Sequence, residues 1–257
     1  MDDQEQTTQN PEEETPHYFG HRARLRERFL SDEGASMPDY EILELLLTMA
    51  IPRKDVKPLA KKLIARFGDL SGVFHAPTHE LINICKLSQM PLVLIKLVAT
   101  CALRMSGACF SDHGGPIIAF WDQFEDYCRE LMAYKEVEEF RVFLFDDEMR
   151  YIGNKLLTTG TINKTAVHPR EVIRAVIEGK AVSIILAHNH PSGNAKPSDI
   201  DKEVTAKIVE AAEKLDIEVF DHVIVTKTDI FSFRNAGYIV PIRKKKSNKK
   251  SSCKTEK

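Results

Sequence analysis

LAHNHPSGNAKPSDID, residues 186–201, joins the end of an apolar run to the start of a helical one. The run before it, Val182-Ser183-Ile184-Ile185-Leu186-Ala187, is apolar and partly β-branched, which predicts a buried strand. Side chains two apart leave the same face of a strand, roughly 6.5 Å apart along it. His188 and His190 are therefore expected to point one way. Pro191 stops the ladder, and Pro191-Ser192-Gly193 is turn chemistry. Beyond the turn, Val204, Ile208, Ala211, Ala212 and Leu215 fall at helical spacing. Ser198 and Asp201 have the spacing of a capping box at the start of that helix. A strand, a turn and a helix start can thus bring two imidazoles and one carboxylate to a single ion.

Three nitrogen and oxygen ligands with an open fourth position suit catalytic zinc, and the lack of a thiolate argues against a structural zinc knuckle. Such an ion activates water and polarises a carbonyl, but a general base must still take the proton. Candidates are Glu136, Glu138 and Glu139, at the head of the apolar run Phe140-Arg141-Val142-Phe143-Leu144-Phe145. Other metal motifs are missing. His79-Glu80-Leu81-Ile82-Asn83 lacks the second histidine of a zincin helix, and the paired motifs of zinc deaminases do not occur.

The order His188-Asn189-His190-Pro191, then Ser198 and Asp201, resembles the JAMM metalloprotease motif. The longer string HNHPSG, followed by Pro197-Ser198 and Asp201, resembles the bacterial RadC family, also called UPF0758. Gly160-Thr161-Ile162-Asn163, Val167-His168-Pro169-Arg170-Glu171 and Asp221-His222-Val223-Ile224-Val225 are similar to further motifs of that family. The likeness covers about residues 136–237. It implies an α+β fold of the cytidine-deaminase-like JAMM/MPN kind, a mixed sheet flanked by helices. It also implies one Zn²⁺ per chain, held by His188, His190 and Asp201. Ser198 would stabilise the oxyanion, and the upstream acid of the family falls on Glu138, with Glu139 one residue away on the other face. His222 is a further candidate from the same resemblance, with Asp221 beside it. The family label implies DNA repair, whereas the site chemistry points to amide or isopeptide hydrolysis.

The chain of 257 residues has room for two modest domains, and its 43% hydrophobic content allows a real core. No apolar run approaches 18 residues, so no membrane span is expected. The acidic, polar start is unlike a secretory signal. Five cysteines without metal-type spacing read as free thiols in a reducing cytoplasm. The net charge of −2 hides a polarity. Residues 1–16 hold six acids and no base, and the tail after Pro241 holds eight Lys or Arg and one Glu. Both ends are expected to be disordered, and the basic one is a candidate for nucleic-acid phosphates.

Residues 17–110 read as all-helical. A basic amphipathic segment, His21 to Phe29, is a candidate surface for phosphate or acidic protein. Further helices are expected over Tyr40–Met49, Val56–Phe67, Leu70–Phe74, Thr78–Cys85 and Pro91–Met105. This order resembles the helix-hairpin-helix domain that precedes the RadC metal domain. The expected hairpin, Cys85-Lys86-Leu87-Ser88-Gln89-Met90-Pro91, lacks the glycines that let such a loop approach a phosphate. A linker is expected at 111–118 and the metal domain at 119–240, with a helix over Phe120–Tyr134. Three functions compete: a zinc-dependent hydrolase of peptide or isopeptide bonds, a DNA-associated accessory protein whose metal site is secondary, and a metal-dependent phosphodiesterase or nuclease, which the lack of a second carboxylate cluster disfavours.

Overall fold

The computed structural model describes residues 20–83, 85–111, 115–160 and 167–240. Both charged termini, and with them the expected nucleic-acid contact of the basic tail, lie outside the described residues. So do residues 112–114 of the expected linker and all but the glycine of Gly160-Thr161-Ile162-Asn163. The chain forms two compact units, one ending at Thr100 and one beginning at Cys101.

The first unit contains α1 (His21–Asp32), α2 (Asp39–Ala50), α3 (Lys57–Phe67), α4 (Leu70–His75), α5 (Thr78–Asn83) and the first half of α6 (Gln89–Ser111). Leu43 and Leu47 on α2, Leu63 on α3, Val73 on α4, Leu81 on α5 and Ile95 on α6 are fully buried in one cluster. Their helical spacing gives each helix one apolar stripe. Gly68 ends α3 with φ of 97°, a conformation that favours glycine. Asp69 then caps α4 by accepting from the Gly72 N–H at 2.7 Å. Between α5 and α6 the left-handed position is taken by Lys86, with φ of 57°, and the next side chain, Leu87, is buried. The hairpin turn is thus made without glycine, and Leu87 serves the core.

Helix α6 is longer than the periodicity predicts and takes in Ser111, the first residue of the expected linker. Over Gln89–Ala108 it is long and apolar enough to cross a membrane by length and composition, with a mean hydropathy of 1.4. Lys96 and Arg104 interrupt the apolar run, which is why no unbroken span is visible, but the segment stays apolar on average. Within the first unit, Lys96 donates to the carbonyls of Phe74 and Ala76, beside the buried Ile95.

The second unit is a mixed α+β sandwich, as expected. Its five strands are β1 (Glu139–Phe145), β2 (Tyr151–Thr159), β3 (Ser183–Asn189), β4 (Glu218–Val225) and β5 (Ile230–Ser232). They lie in the order β2-β1-β3-β4-β5, and only β3 and β4 are parallel. Between β2 and β3 comes α8 (Pro169–Gly179), and α9 (Asp199–Glu213) makes the crossover from β3 to β4. One sheet face carries Phe140, Val142, Leu144, Ile184 and Leu186 under α8 and α9. The other carries Phe143, Phe145, Ile185 and Ala187 under the segment 117–133. Alternate residues of β1 and β3 thus serve separate cores, the expected signature of a sheet covered on both sides. Segment 117–133 departs from the single helix expected there. It is a 3₁₀ turn (Ile117–Phe120), α7 (Trp121–Cys128) and a π-helical turn (Arg129–Ala133). The wider last turn brings Cys128, Met132 and Ala133 all to the sheet, where all three are buried.

Candidate metal centre

Strand β3 is buried at every position and ends at Asn189. His188 pairs in register with Phe140 on β1 and Ile224 on β4, on the α8/α9 face. His190 extends the ladder by donating its N–H to Val225 O at 3.0 Å. The two-residue period therefore puts both imidazoles on one side. After the turn, Ser198 is the N-cap of α9 and forms a full capping box with Asp201. Ser198 donates both its N–H (2.7 Å) and its hydroxyl (2.6 Å) to Asp201 Oδ2, and Asp201 N–H donates back to Ser198 Oγ at 3.1 Å. The cap orients the carboxylate toward the histidines. His188 Nε2 lies 3.3 Å from Asp201 Oδ1, and His190 Nε2 lies 3.6 Å from Asp201 Oδ2.

The outer hydrogen bonds decide which ring nitrogens face inward. Thr205 donates its hydroxyl to Asp201 O at 2.6 Å, one helical turn back. Its oxygen must then accept from His222 Nδ1, also at 2.6 Å. His222 Nε2 is left as an acceptor and takes the proton of His188 Nδ1 at 2.8 Å. His190 Nδ1 donates to Asn194 O at 2.7 Å. Both Nε2 atoms are therefore bare lone pairs, and they stand only 3.0 Å apart. Two lone pairs and a carboxylate at this range repel unless a positive charge lies between them. A tetrahedral ion with bonds of about 2.0–2.1 Å sets its ligand atoms about 3.3 Å apart. The observed separations bracket that spacing, and the donor set fits one divalent ion.

The electrostatics agree. Burial raises the Asp201 carboxyl, but hydrogen bonds with His188, His190 and Ser198 outweigh it and hold the group far below the usual carboxylate range. Burial also lowers His188 and, more strongly, His222, so both stay neutral. His190 is raised, chiefly by its hydrogen bond to Asp201. Phe140 stacks on His188 and Phe233 on His222, at interplanar angles of 12° and 18°, which keeps that side dry. The opening is at His190, whose side chain is 14% exposed.

The three carboxylates before β1 separate by face. Glu139 is buried and paired with Arg141 at 2.9 Å, and Arg141 in turn reaches Asn154. Glu138, half-buried, precedes Phe140 by two residues on the histidine face, and its charge acts on both His188 and His190. Glu136 is exposed. Asn189, between the two histidines, points the opposite way. It accepts from Glu139 N–H at 2.7 Å and donates to Val137 O at 3.1 Å. It thereby clamps the backbone on either side of Glu138.

Sequence reasoning missed Asn189 and Thr205, although Thr205 stands four residues after Asp201 on the same helix face. It left His222 open. A β-bulge settles that position: between Ile184 and Ile185 the register with β4 slips by one, so that His222 rather than Asp221 lies beside Leu186. Asp221 turns away and accepts from Ser232 Oγ (2.5 Å), Arg234 N–H (2.9 Å) and His222 N–H (2.6 Å). His168 is the exposed N-cap of α8, and Asp199 pairs with Lys202 in solvent.

A RadC-like JAB domain profile matches residues 118–238. A UPF0758 protein of Ruegeria pomeroyi is 41% identical over 219 residues, which is 85% of this chain and 97% of that protein. Its likeness extends well beyond the metal unit into the helical one, and on it the chain belongs to the UPF0758 family of RadC-like proteins.

Proposed function

We propose that this protein is a zinc-dependent hydrolase of peptide or isopeptide bonds. The observation that carries this reading is the convergence of two bare imidazole nitrogens and a carboxylate, with their protons held on the far side of each ring. When bound there, a zinc ion supplies an activated water and polarises the scissile carbonyl. His188, His190 and Asp201 hold it. Glu138 accepts the proton of the attacking water as the new C–O bond forms. It then gives that proton to the leaving amine as the C–N bond breaks, so the residue ends as it began. Ser198 turns its hydroxyl from Asp201 toward the oxyanion of the tetrahedral intermediate. His222 and Thr205 keep the His188 ring in place, and Asn189 holds the segment that carries Glu138. Among the described residues, Cys85, Cys101 and Cys128 are free thiols, which suits a reducing cytoplasm.

The test is a mass-spectrometric screen of peptide and isopeptide libraries with zinc-loaded protein, wild type against Glu138→Gln. Wild type is expected to cleave a subset. The variant should keep its zinc and lose at least about a hundredfold in rate. A fully loaded wild type that cleaves nothing, or a variant that cleaves equally well, overturns the reading.

A further inference from the structure

Helix α6 lays one side on protein and the other on solvent. In the first unit Pro91 and Ile95 are buried, and Lys96 turns to the carbonyls of Phe74 and Ala76. In the second unit a side chain on Gly107 would come within 3.2 Å of the Tyr127 ring. The opposite side carries Met90, Val93, Leu97, Cys101 and Met105, at steps of three or four residues, all of them exposed. Met90 is 64%, Val93 50%, Leu97 54% and Met105 71% exposed. Residues so spaced lie in one stripe, about 22 Å long. The solvent side of a helix ordinarily carries charged and polar groups. Besides Lys96, Arg104 is the only charged residue in α6. An apolar stripe of this length on solvent marks an interaction surface.

Three kinds of cover can be compared. The chain's own segments outside the described residues are too polar: residues 1–19 have only Met1, Tyr18 and Phe19 as large apolar side chains, and 241–257 only Ile242. A bilayer surface is matched by helices with lysine and arginine along a free polar side and aromatic residues on the apolar one. Here the other side of α6 is taken up by protein, and no aromatic residue lies in the stripe. A second copy of the stripe fits, because the stripe reads nearly alike in both directions. Val93 and Cys101 stand four residues either side of Leu97, and Met90 and Arg104 seven, with Met105 next. That is the seven-residue repeat of helices packed along their length. In an antiparallel pair Leu97 of one copy meets Leu97 of the other, Val93 meets Cys101, and Met90 meets Met105 and the stem of Arg104. The two guanidiniums then stand about 21 Å apart, beyond the Debye length, whereas a parallel pair would set them side by side. Four side chains at least half exposed on each copy make an interface at the lower end of the usual range, so the association is expected to be reversible.

We infer that this face of α6 is the interface of an antiparallel homodimer, with Leu97 on the two-fold axis. The inference stands apart from the hydrolase reading, since no residue of the metal centre takes part.

Analytical ultracentrifugation of the full chain tests it, from about 1 to about 200 μM, under reducing conditions and without detergent. The average mass is expected to rise from one chain toward two over this range. Leu97→Glu, at an exposed position outside the core cluster, sets two carboxylates together on the axis. It should weaken dimerisation at least about tenfold, with circular dichroism unchanged. Cross-linking tests the register without that variant. In a chain with Cys109→Ser and Cys253→Ser, Val93→Cys faces the native Cys101 of the other copy, and oxidised glutathione should close a disulfide-linked dimer. Without Val93→Cys the two Cys101 thiols stand about 12 Å apart along the helices and should stay unlinked. A chain that is monomeric at about 200 μM, dimers indifferent to Leu97→Glu, or no cross-link through Val93→Cys overturns the inference. So does a monomeric chain that binds phosphatidylserine vesicles and releases them on Leu97→Glu, which would assign the face to a membrane.

Discussion

Asp201 and Glu44 are both buried carboxylates facing histidine, and they are in opposite condition. Asp201 accepts twice from Ser198 and faces two imidazoles, so each of its oxygens has protein partners. Glu44 has one oxygen on His21 and the other without a partner among the described residues. The first is a centre prepared by its own polypeptide down to the tautomer of each ring. The second has one oxygen with no hydrogen-bond partner among the described residues. Buried polar groups are nearly always satisfied, so the contrast separates a pre-assembled ion site from a buried carboxylate that the described residues satisfy only in part.

Zinc content should separate the two carboxylates most strongly. Asp201→Asn is expected to fall from about one zinc per chain to nearly none by elemental analysis, because a neutral amide leaves two imidazoles as the only strong ligands. Glu44→Gln should keep its zinc. Equal metal loss in both variants would mean that the two carboxylates are not independent.

Acidity provides the next largest effect. Burial lowers His188 and His222 in the fold, so below the usual value of about 6.5 the unfolded chain holds protons that the folded chain does not. Zinc-free protein should therefore lose stability as pH falls through about 6.5, by up to about 1.4 kcal/mol per pH unit for each of the two histidines. His190, raised by Asp201, acts the other way: its contribution is full below about 6.5 and is lost as pH rises through its raised value. Urea unfolding at pH 7 and pH 5.5 checks this, and equal or greater stability at pH 5.5 would contradict it.

Thr205→Val keeps the shape of the side chain and removes the hydroxyl that sets the His222 tautomer. Zinc affinity, measured by competition with a chelator, should drop about 10–100-fold, as for other partners of metal-bound histidines. An unchanged affinity would show that the chain from Thr205 to His188 does not orient the ligand. The smallest effect expected is for Ser198→Ala in the zinc-free protein. Loss of the α9 cap should cost about 1 kcal/mol and lower the melting temperature by about 2–4 °C. No shift would mean that Asp201 alone caps the helix.

Much of the metal centre was legible because its parts are local. His188 and His190 share a face by strand period, and Ser198 and Asp201 are joined by a capping box whose spacing is visible in the chain. The helical unit was similarly legible from its stripes and from Gly68. Less so was α6, where counting an unbroken apolar run hid a helix that is apolar on average. Segment 117–133 also departed from expectation, since a π-helical turn answers to the sheet beneath it rather than to its own periodicity.

Local periodicity and capping chemistry were enough to identify the three candidate ligands, because each depends on neighbours a few residues away. The resemblance already pointed to Glu138, and the tertiary structure adds where the glutamates lie: Glu139 is buried and paired with Arg141, and Glu138 is on the histidine face between the two backbone contacts of Asn189. It alone brought His222 to His188, through one slipped residue in the sheet. It alone left Glu44 Oε2 without a partner among the described residues, since whether a buried atom finds one depends on residues far apart in the chain and close together in space.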